Sequence, residues 1–265
     1  MAILAIETST DLLGVAVVDE RRVLSSYEVL AERPHATELP QAVTRSLGSA
    51  GVALKDVEGV ALDIGPGSFT GLRIGLAFVK ALLFHTRRPL IGVSSLDVLA
   101  ASLPTTASQI CPLLDAKQRK VYAAVFRATE GGLIKRADYT LCPVNDVPGL
   151  LDDGPVVFTG DGAGLYEPRL RELLGDRARV MPPDFHLPRA ATLGRLGLAR
   201  LRQGHQDDPR DLVPMYLYPM TCTIRVSDRA PGAPRKEKLE QLRELRGRVD
   251  LTTDVDQSRA RKTKD

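Results

Sequence analysis

Two short stretches hold the residue types that phosphate or acyl chemistry uses. The first is Glu7-Thr8-Ser9-Thr10, which is polar, hydroxyl-rich and directly behind the apolar run at 2–6. The second is GPGSFTGLRIG at 65–75, where four glycines and a proline close one apolar run and open another. A Walker A loop would need a GK[ST] after four intervening residues, but Thr70 stands in the place of its second glycine. A dinucleotide fingerprint needs GxGxxG. Gly65 and Gly67 fit its first two places, Thr70 takes the third, and Gly71 comes one residue late. Two readings stay open. One is a tight strand-to-helix turn in which glycine permits positive φ or close packing. The other is an anion site at a helix N-terminus.

A hydrolytic nucleophile is poorly served. Ser68 lies in GPGSFTG and not in GxSxG. His35 and His85 read as helix-end residues, and no two histidines stand three or four apart. Glu7, Asp63 and Asp115 fall at strand ends, where a paired acid–base or magnesium site could form; turn capping or an ordinary hydrogen bond accounts for each more simply. GDGAG at 160–164 reads as a loop with little claim to a nucleotide contact. Cys111, Cys142 and Cys222 are far apart and form no CxxC, which suits a reducing compartment and speaks against a disulfide framework or zinc ribbon. These motifs assign no catalytic residue and no metal ligand.

The elements that must position these residues follow from hydrophobic period. Apolar runs at 2–6, 14–18 and 23–30, joined by short polar links, predict an antiparallel meander. Leu39, Val43 and Leu47 predict a helix over 36–50, stopped by Gly51. A strand at 59–64, a helix at 69–85, a strand at 90–93 and a short helix capped by Ser95 complete a β-β-β-α-β-α-β-α order. A second unit from about residue 104 has strands at 110–114, 120–127, 133–141 and 156–159, then helices near 165–174 and 190–203. The two halves share a grammar, so the expected fold class is α/β with two related lobes, 1–103 and 104–222. Helix 190–203 is a candidate to pack back on the first lobe.

The chain has 265 residues and net charge +3, but residues 229–265 alone carry 11 basic and 7 acidic side chains, leaving 1–228 at −1. A near-neutral body is not the footprint of a stand-alone nucleic-acid binder. The segment 223–265, Pro-opened and charge-dense, reads as a basic tail with little fixed structure. No apolar stretch is long enough to span a membrane, and the start has no basic segment of the signal-peptide kind.

The helix at 69–85 is apolar on essentially every side, with Arg73 and Lys80 its only fixed charges. Such a helix is expected to be covered all round. One face can pack on the sheet, and the other needs a second cover. Gly71 and Gly75 offer a smooth patch for a neighbouring helix.

ILAIETST at the start, HATELP at 35–40, GPGSFTGLRIG at 65–75, IGVSSLD at 91–97 and DAKQRKVYAAVF at 115–126 together resemble the bacterial TsaB family, also called YeaZ. The resemblance covers about residues 1–220. It implies two lobes of the actin/Hsp70/sugar-kinase type (ASKHA). It also implies a non-catalytic subunit, in the cytoplasm, that dimerises with TsaD for threonylcarbamoyl transfer to adenosine 37 of ANN-decoding tRNAs. TsaE, an ATPase, would join the complex; tRNA would be reached through it; a homodimer would form when TsaD is absent. The chain itself would hold no cofactor, with a nucleotide shared at the TsaD interface left open.

In the family the dimer is built from the two helices carried here by about 36–50 and 69–85. The resemblance therefore places a partner interface at His35, Leu39, Val43, Gly65, Pro66, Gly67, Ser68, Phe69, Thr70, Gly71, Leu72, Arg73, Gly75, Leu76, Val79 and Lys80. Glu7, Thr8, Ser9 and Thr10 correspond to a degenerate phosphate loop, with Glu where active relatives carry Asp and no glycine. TsaD binds metal through an HxxxH pair; here His35 is followed by Leu39 in the second place, and one imidazole cannot hold a catalytic metal. The alternative is a stand-alone glycoprotease-like peptidase or ATPase. The tail is expected to be a solvated extension, with phosphate contacts to tRNA as the other reading.

Overall fold

The computed structural model describes residues 2–30, 35–103 and 109–217, without the side chain of His85. The expected basic tail, with Cys222, lies outside the described residues.

Strands β1 (Ala2–Glu7), β2 (Leu12–Asp19) and β3 (Val23–Leu30) form the antiparallel meander, followed by α1 (His35–Ala50), β4 (Gly59–Asp63), α2 (Phe69–Thr86), β5 (Leu90–Val93) and α3 (Ser95–Ala101). The sheet order is β3-β2-β1-β4-β5, with β1 antiparallel to β2 and parallel to β4. The central strands β1, β2 and β4 are near-continuous apolar runs because both faces of this sheet are covered. The edge strand β3 is only half-buried.

The second half repeats the plan. Strands β6 (Gln109–Asp115), β7 (Lys120–Thr129) and β8 (Gly132–Pro143) are antiparallel, and β9 (Val156–Thr159) and β10 (Ala178–Val180) add in parallel, giving the order β8-β7-β6-β9-β10. Helices α4 (Asp161–Leu165), α5 (Glu167–Leu174) and α6 (Ala190–Arg202) complete the described chain. Both sheets put their first strand in the middle, so the β1–β2 and β6–β7 turns occupy equivalent corners. This is the two-lobed α/β arrangement expected from the sequence.

Four apolar clusters hold the layers together. Leu4, Ile6, Leu13 and Leu62 pack under α1 and α2 through Leu39 and Val79. On the opposite face of the same sheet, Ile3, Ala5, Ala61 and Ile91 pack against Leu193 and Leu198 of α6. In the second sheet, Ile110, Leu114 and Phe126 meet Leu96 and Leu99 of α3, while Leu113 and Phe158 meet Leu170 of α5.

Two expectations need correction. The N-cap of α3 is Ser94, whose Oγ accepts from Leu96 N at 3.2 Å; Ser95 is turned inward instead. Residues 161–164 of the GDGAG stretch are helical, within α4, with Gly160 at φ 98° ahead of them. Helix α2, whose second cover the sequence left open, is not covered all round by the described residues of its own chain. Leu72, Leu76, Val79 and Leu83 are buried, whereas Phe69 is 53% and Phe84 81% exposed.

Candidate functional site

The β1–β2 turn is closed by its own side chains. Ser9 donates its N–H (2.6 Å) and its hydroxyl (2.5 Å) to Glu7 Oε1. Leu12 N donates to Thr10 Oγ1 at 3.2 Å, and His35 Nε2 donates to the Thr10 carbonyl at 2.8 Å, tying the start of α1 to the turn. The loop after β4 then lies on top. Ser68 N donates to the Ser9 carbonyl at 2.6 Å.

The glycines of GPGSFTGLRIG are explained by this packing. A Cβ at Gly67 would collide with the Ser9 carbonyl oxygen, one at Gly71 with the Thr8 carbonyl oxygen, and one at Gly75 with Thr8 Oγ1. Gly71 and Gly75 therefore admit this chain's own β1–β2 turn and not a neighbouring helix. Of the two readings left open by the sequence, close packing is the one observed.

Beneath the turn sits a pair of buried carboxyls. Glu7 and Asp63 are 0% and 1% exposed, at the ends of the adjacent parallel strands β1 and β4. Asp63 Oδ1 accepts from Gly65 N (2.7 Å) and Ser95 Oγ (2.6 Å), and Oδ2 lies 3.3 Å from Ser9 Oγ. Burial, followed by the negative charge of Asp63, pushes the Glu7 carboxyl well above its ordinary range. Burial also raises Asp63, against the pull of its hydrogen bonds. The arrangement favours a protonated Glu7 beside a charged Asp63. Glu7 Oε2 and Thr8 Oγ1 find no hydrogen-bond partner among the described residues at ordinary geometry.

The outer face of α2 presents a second feature. Arg73 stacks over Phe69, its guanidinium carbon 3.8 Å from the ring centroid, and its Nε donates to Tyr216 Oη at 3.1 Å. The Phe69 and Tyr216 rings are 5.3 Å apart. The chain beyond α6 carries Tyr216 there along the edge of the first sheet. Asp207 N donates to Leu90 O (2.8 Å), Gly92 N to Asp207 Oδ2 (2.7 Å), and Met215 N to Ile64 O (2.7 Å).

The residues named from the resemblance as interface thus divide. Phe69, Thr70, Arg73 and Ser68 are exposed, and Lys80 is partly so. Leu39, Val43, Leu72, Leu76 and Val79 belong to the subunit's own core and do not reach the outer face. Gly65, Pro66, Gly71 and Gly75 are buried beneath the loop, and Gly67 and His35 are half-buried. The apolar letters of the helix said nothing about which of them point inward. Tyr216 had no sequence signal at all, being 143 residues from its partner Arg73.

The hydrolytic candidates each have other partners. Ser68 caps α2, its Oγ accepting from Gly71 N at 3.2 Å, while His35 is engaged with Thr10. Asp115 lies in the other half, accepting from Lys117 N at 3.0 Å and paired with the Lys117 ammonium. Among the described residues no three His, Cys, Asp or Glu side chains converge as a metal set, and no helix is long and apolar enough to cross a membrane.

Comparison with known proteins gives a consistent picture. Residues 28–221 match the family model described as TsaD, tRNA N6-adenosine threonylcarbamoyltransferase. The chain is 31% identical over 220 residues to the tRNA threonylcarbamoyladenosine biosynthesis protein TsaB of Bacillus subtilis, covering 82% of this chain and 94% of the relative. It is 35% identical over 135 residues to the protein of the same name from Escherichia coli, covering 50% and 58%. Among solved structures, YeaZ from Pseudomonas aeruginosa superposes with a TM-score of 0.71 at 29% identity, over 82% of this chain and 99% of that one.

Proposed function

The chain belongs to the TsaB (YeaZ) family, with a role in tRNA threonylcarbamoyladenosine biosynthesis, and from that premise we propose that it acts there as a non-catalytic subunit that pairs with TsaD. The observation that carries this reading is the closed β1–β2 turn. A phosphate-binding turn needs free backbone N–H groups and open space above them. Here the Ser9 N–H is taken by Glu7, and the start of α2 is seated on the backbone of Thr8 and Ser9. A buried carboxyl stands where a phosphate would need positive potential. The chemistry then falls to the partner.

The outer face of α2 is the surface we assign to TsaD. Aromatic and Arg side chains dominate binding energy at protein interfaces, and Phe69, Arg73 and Tyr216 present such a group. TsaE joins the assembly and tRNA is reached through it, with any nucleotide held between subunits and not in this turn. The test is light scattering during size-exclusion chromatography of the chain mixed with TsaD. A 1:1 complex lost in Arg73→Glu supports the reading. A full complex with that variant, or threonylcarbamoyl transfer by this chain alone, overturns it. The peptidase alternative gains nothing from the geometry, because Ser68 Oγ is engaged as the cap of α2 and His35 Nε2 with the Thr10 carbonyl.

A further inference from the structure

A cavity of ≈310 Å³ opens between α3, the β7–β8 hairpin and α6, and shares no lining residue with the β1–β2 turn or the α2 face. That volume is at the lower end of the range of small-molecule sites, ~300–1,000 Å³. Phe126, Leu133 and Leu196 give it an apolar floor, and Asp97, Lys135, Tyr139 and Arg200 a polar wall.

The wall is unbalanced. Asp97 has both oxygens engaged: Oδ1 accepts from Tyr139 Oη at 2.7 Å, and Oδ2 from Arg200 Nη2 at 2.5 Å. Arg200 matches that charge, and its Nη1 donates to the Gly92 carbonyl at 2.8 Å. Lys135 is then a second cation. Its ammonium lies 3.8 Å from the Tyr139 ring centroid, and its neighbour Asp138, 3.3 Å away, is 94% exposed, so water screens that pair. Tyr139 stays neutral, since burial and the Asp97 charge push its hydroxyl up. Among the residues that line the cavity, Asp97, Lys135 and Arg200 together carry one net positive charge, and the countercharge at Lys135 is Asp138, on its solvent side.

We propose that this cavity binds a small molecule with an apolar body and one carboxylate head, the body on Phe126, Leu133 and Leu196 and the head on Lys135. A carboxylate can take the place of the water-screened Asp138 at the Lys135 ammonium, whereas a phosphate dianion would also face Asp97. The site stands on its own geometry and does not depend on the family role. Its occupant would touch α6, which packs on the first sheet, and β7 and β8 of the second.

The probes are octanoate and its neutral counterpart octanamide, titrated into the full chain and followed by amide-correlation NMR. Saturable shifts at Ala101, Leu133, Lys135 and Leu196 are expected, with octanoate bound about tenfold more tightly, the worth of one partly screened charge-assisted contact. Lys135→Met, at a side chain 33% exposed, keeps the fold and removes that preference. Leu133→Trp fills the cavity and abolishes both shifts. The proposal is overturned by the absence of saturable shifts at millimolar octanoate, by shifts lying elsewhere, or by equal binding of the two probes.

Discussion

Ser9 gives both its amide N–H and its hydroxyl to one carboxyl oxygen of Glu7, at 2.6 and 2.5 Å. The tip of the first strand is therefore finished by a side chain of that strand. Buried N–H groups must be paired. In this turn the pairing acceptor is internal, whereas a phosphate-binding turn leaves the same group for its ligand. Glu7 at the strand end is thus sufficient to keep the Ser9 N–H from any external acceptor.

The protonation of Glu7 makes stability depend on pH. Its folded-state pKa is raised above the ordinary 4.5, so below that value both folded and unfolded chains hold the proton and the contribution is complete. As pH rises past 4.5, the unfolded chain loses the proton first, and stability falls until the folded carboxyl titrates too. Each pH unit of that interval costs about 1.4 kcal/mol. Glu7→Gln keeps an acceptor for Ser9 and cannot ionise. Urea midpoints measured from pH 4.5 upward should fall with pH in the parent chain and stay flatter in Glu7→Gln. Parallel profiles would show that Glu7 is charged in the fold.

The two faces of α2 should separate binding from folding. Leu76→Ala removes a side chain that is 9% exposed within the core cluster under α2, and should cost about 2–5 kcal/mol of stability. Phe69→Ala, at a side chain 53% exposed, should leave the melting temperature within a few degrees while weakening TsaD binding by about tenfold or more. Calorimetric melting and titration with TsaD read the two effects separately. Equal loss of stability in both variants would mean that the outer face serves the subunit and not a partner.

Much of this was legible in the sequence, and the shortfall has a pattern. The β-β-β-α-β-α-β-α order followed from apolar runs whose lengths suit central strands. The second half was legible as the same grammar, but β10 was missed, being a three-residue strand held by pairing with β9. At the site, Glu7, Ser9 and Asp63 were visible as polar residues at strand ends. Their convergence was not, since Glu7 and Asp63 meet only because β1 and β4 pair in parallel. Helix α2 shows the limit most plainly. With almost no polar residue to mark a face, periodicity could not separate Leu76 from Phe69.

The tandem strand order also explains where α2 must begin. In each half a glycine-bearing segment follows the fourth strand and lies against the C-terminal end of the first: Gly71 on Thr8, just past β1, and Gly160 on Leu113, within β6. At Gly71 the backbone oxygen of Thr8 occupies the position of a side chain, and backbone cannot step aside as a flexible side chain would. Gly71→Ala should therefore displace the start of α2 from the turn and destabilise the chain by about 1–3 kcal/mol, despite alanine's higher helix propensity. Gly48→Ala, in α1 with open space around its Cβ position, is the control and should stabilise by up to about 1 kcal/mol. Chemical denaturation of the pair decides the matter. Stabilisation by both alanines would mean that α2 does not need its close seat on Thr8, and that the turn stays closed through Glu7 alone.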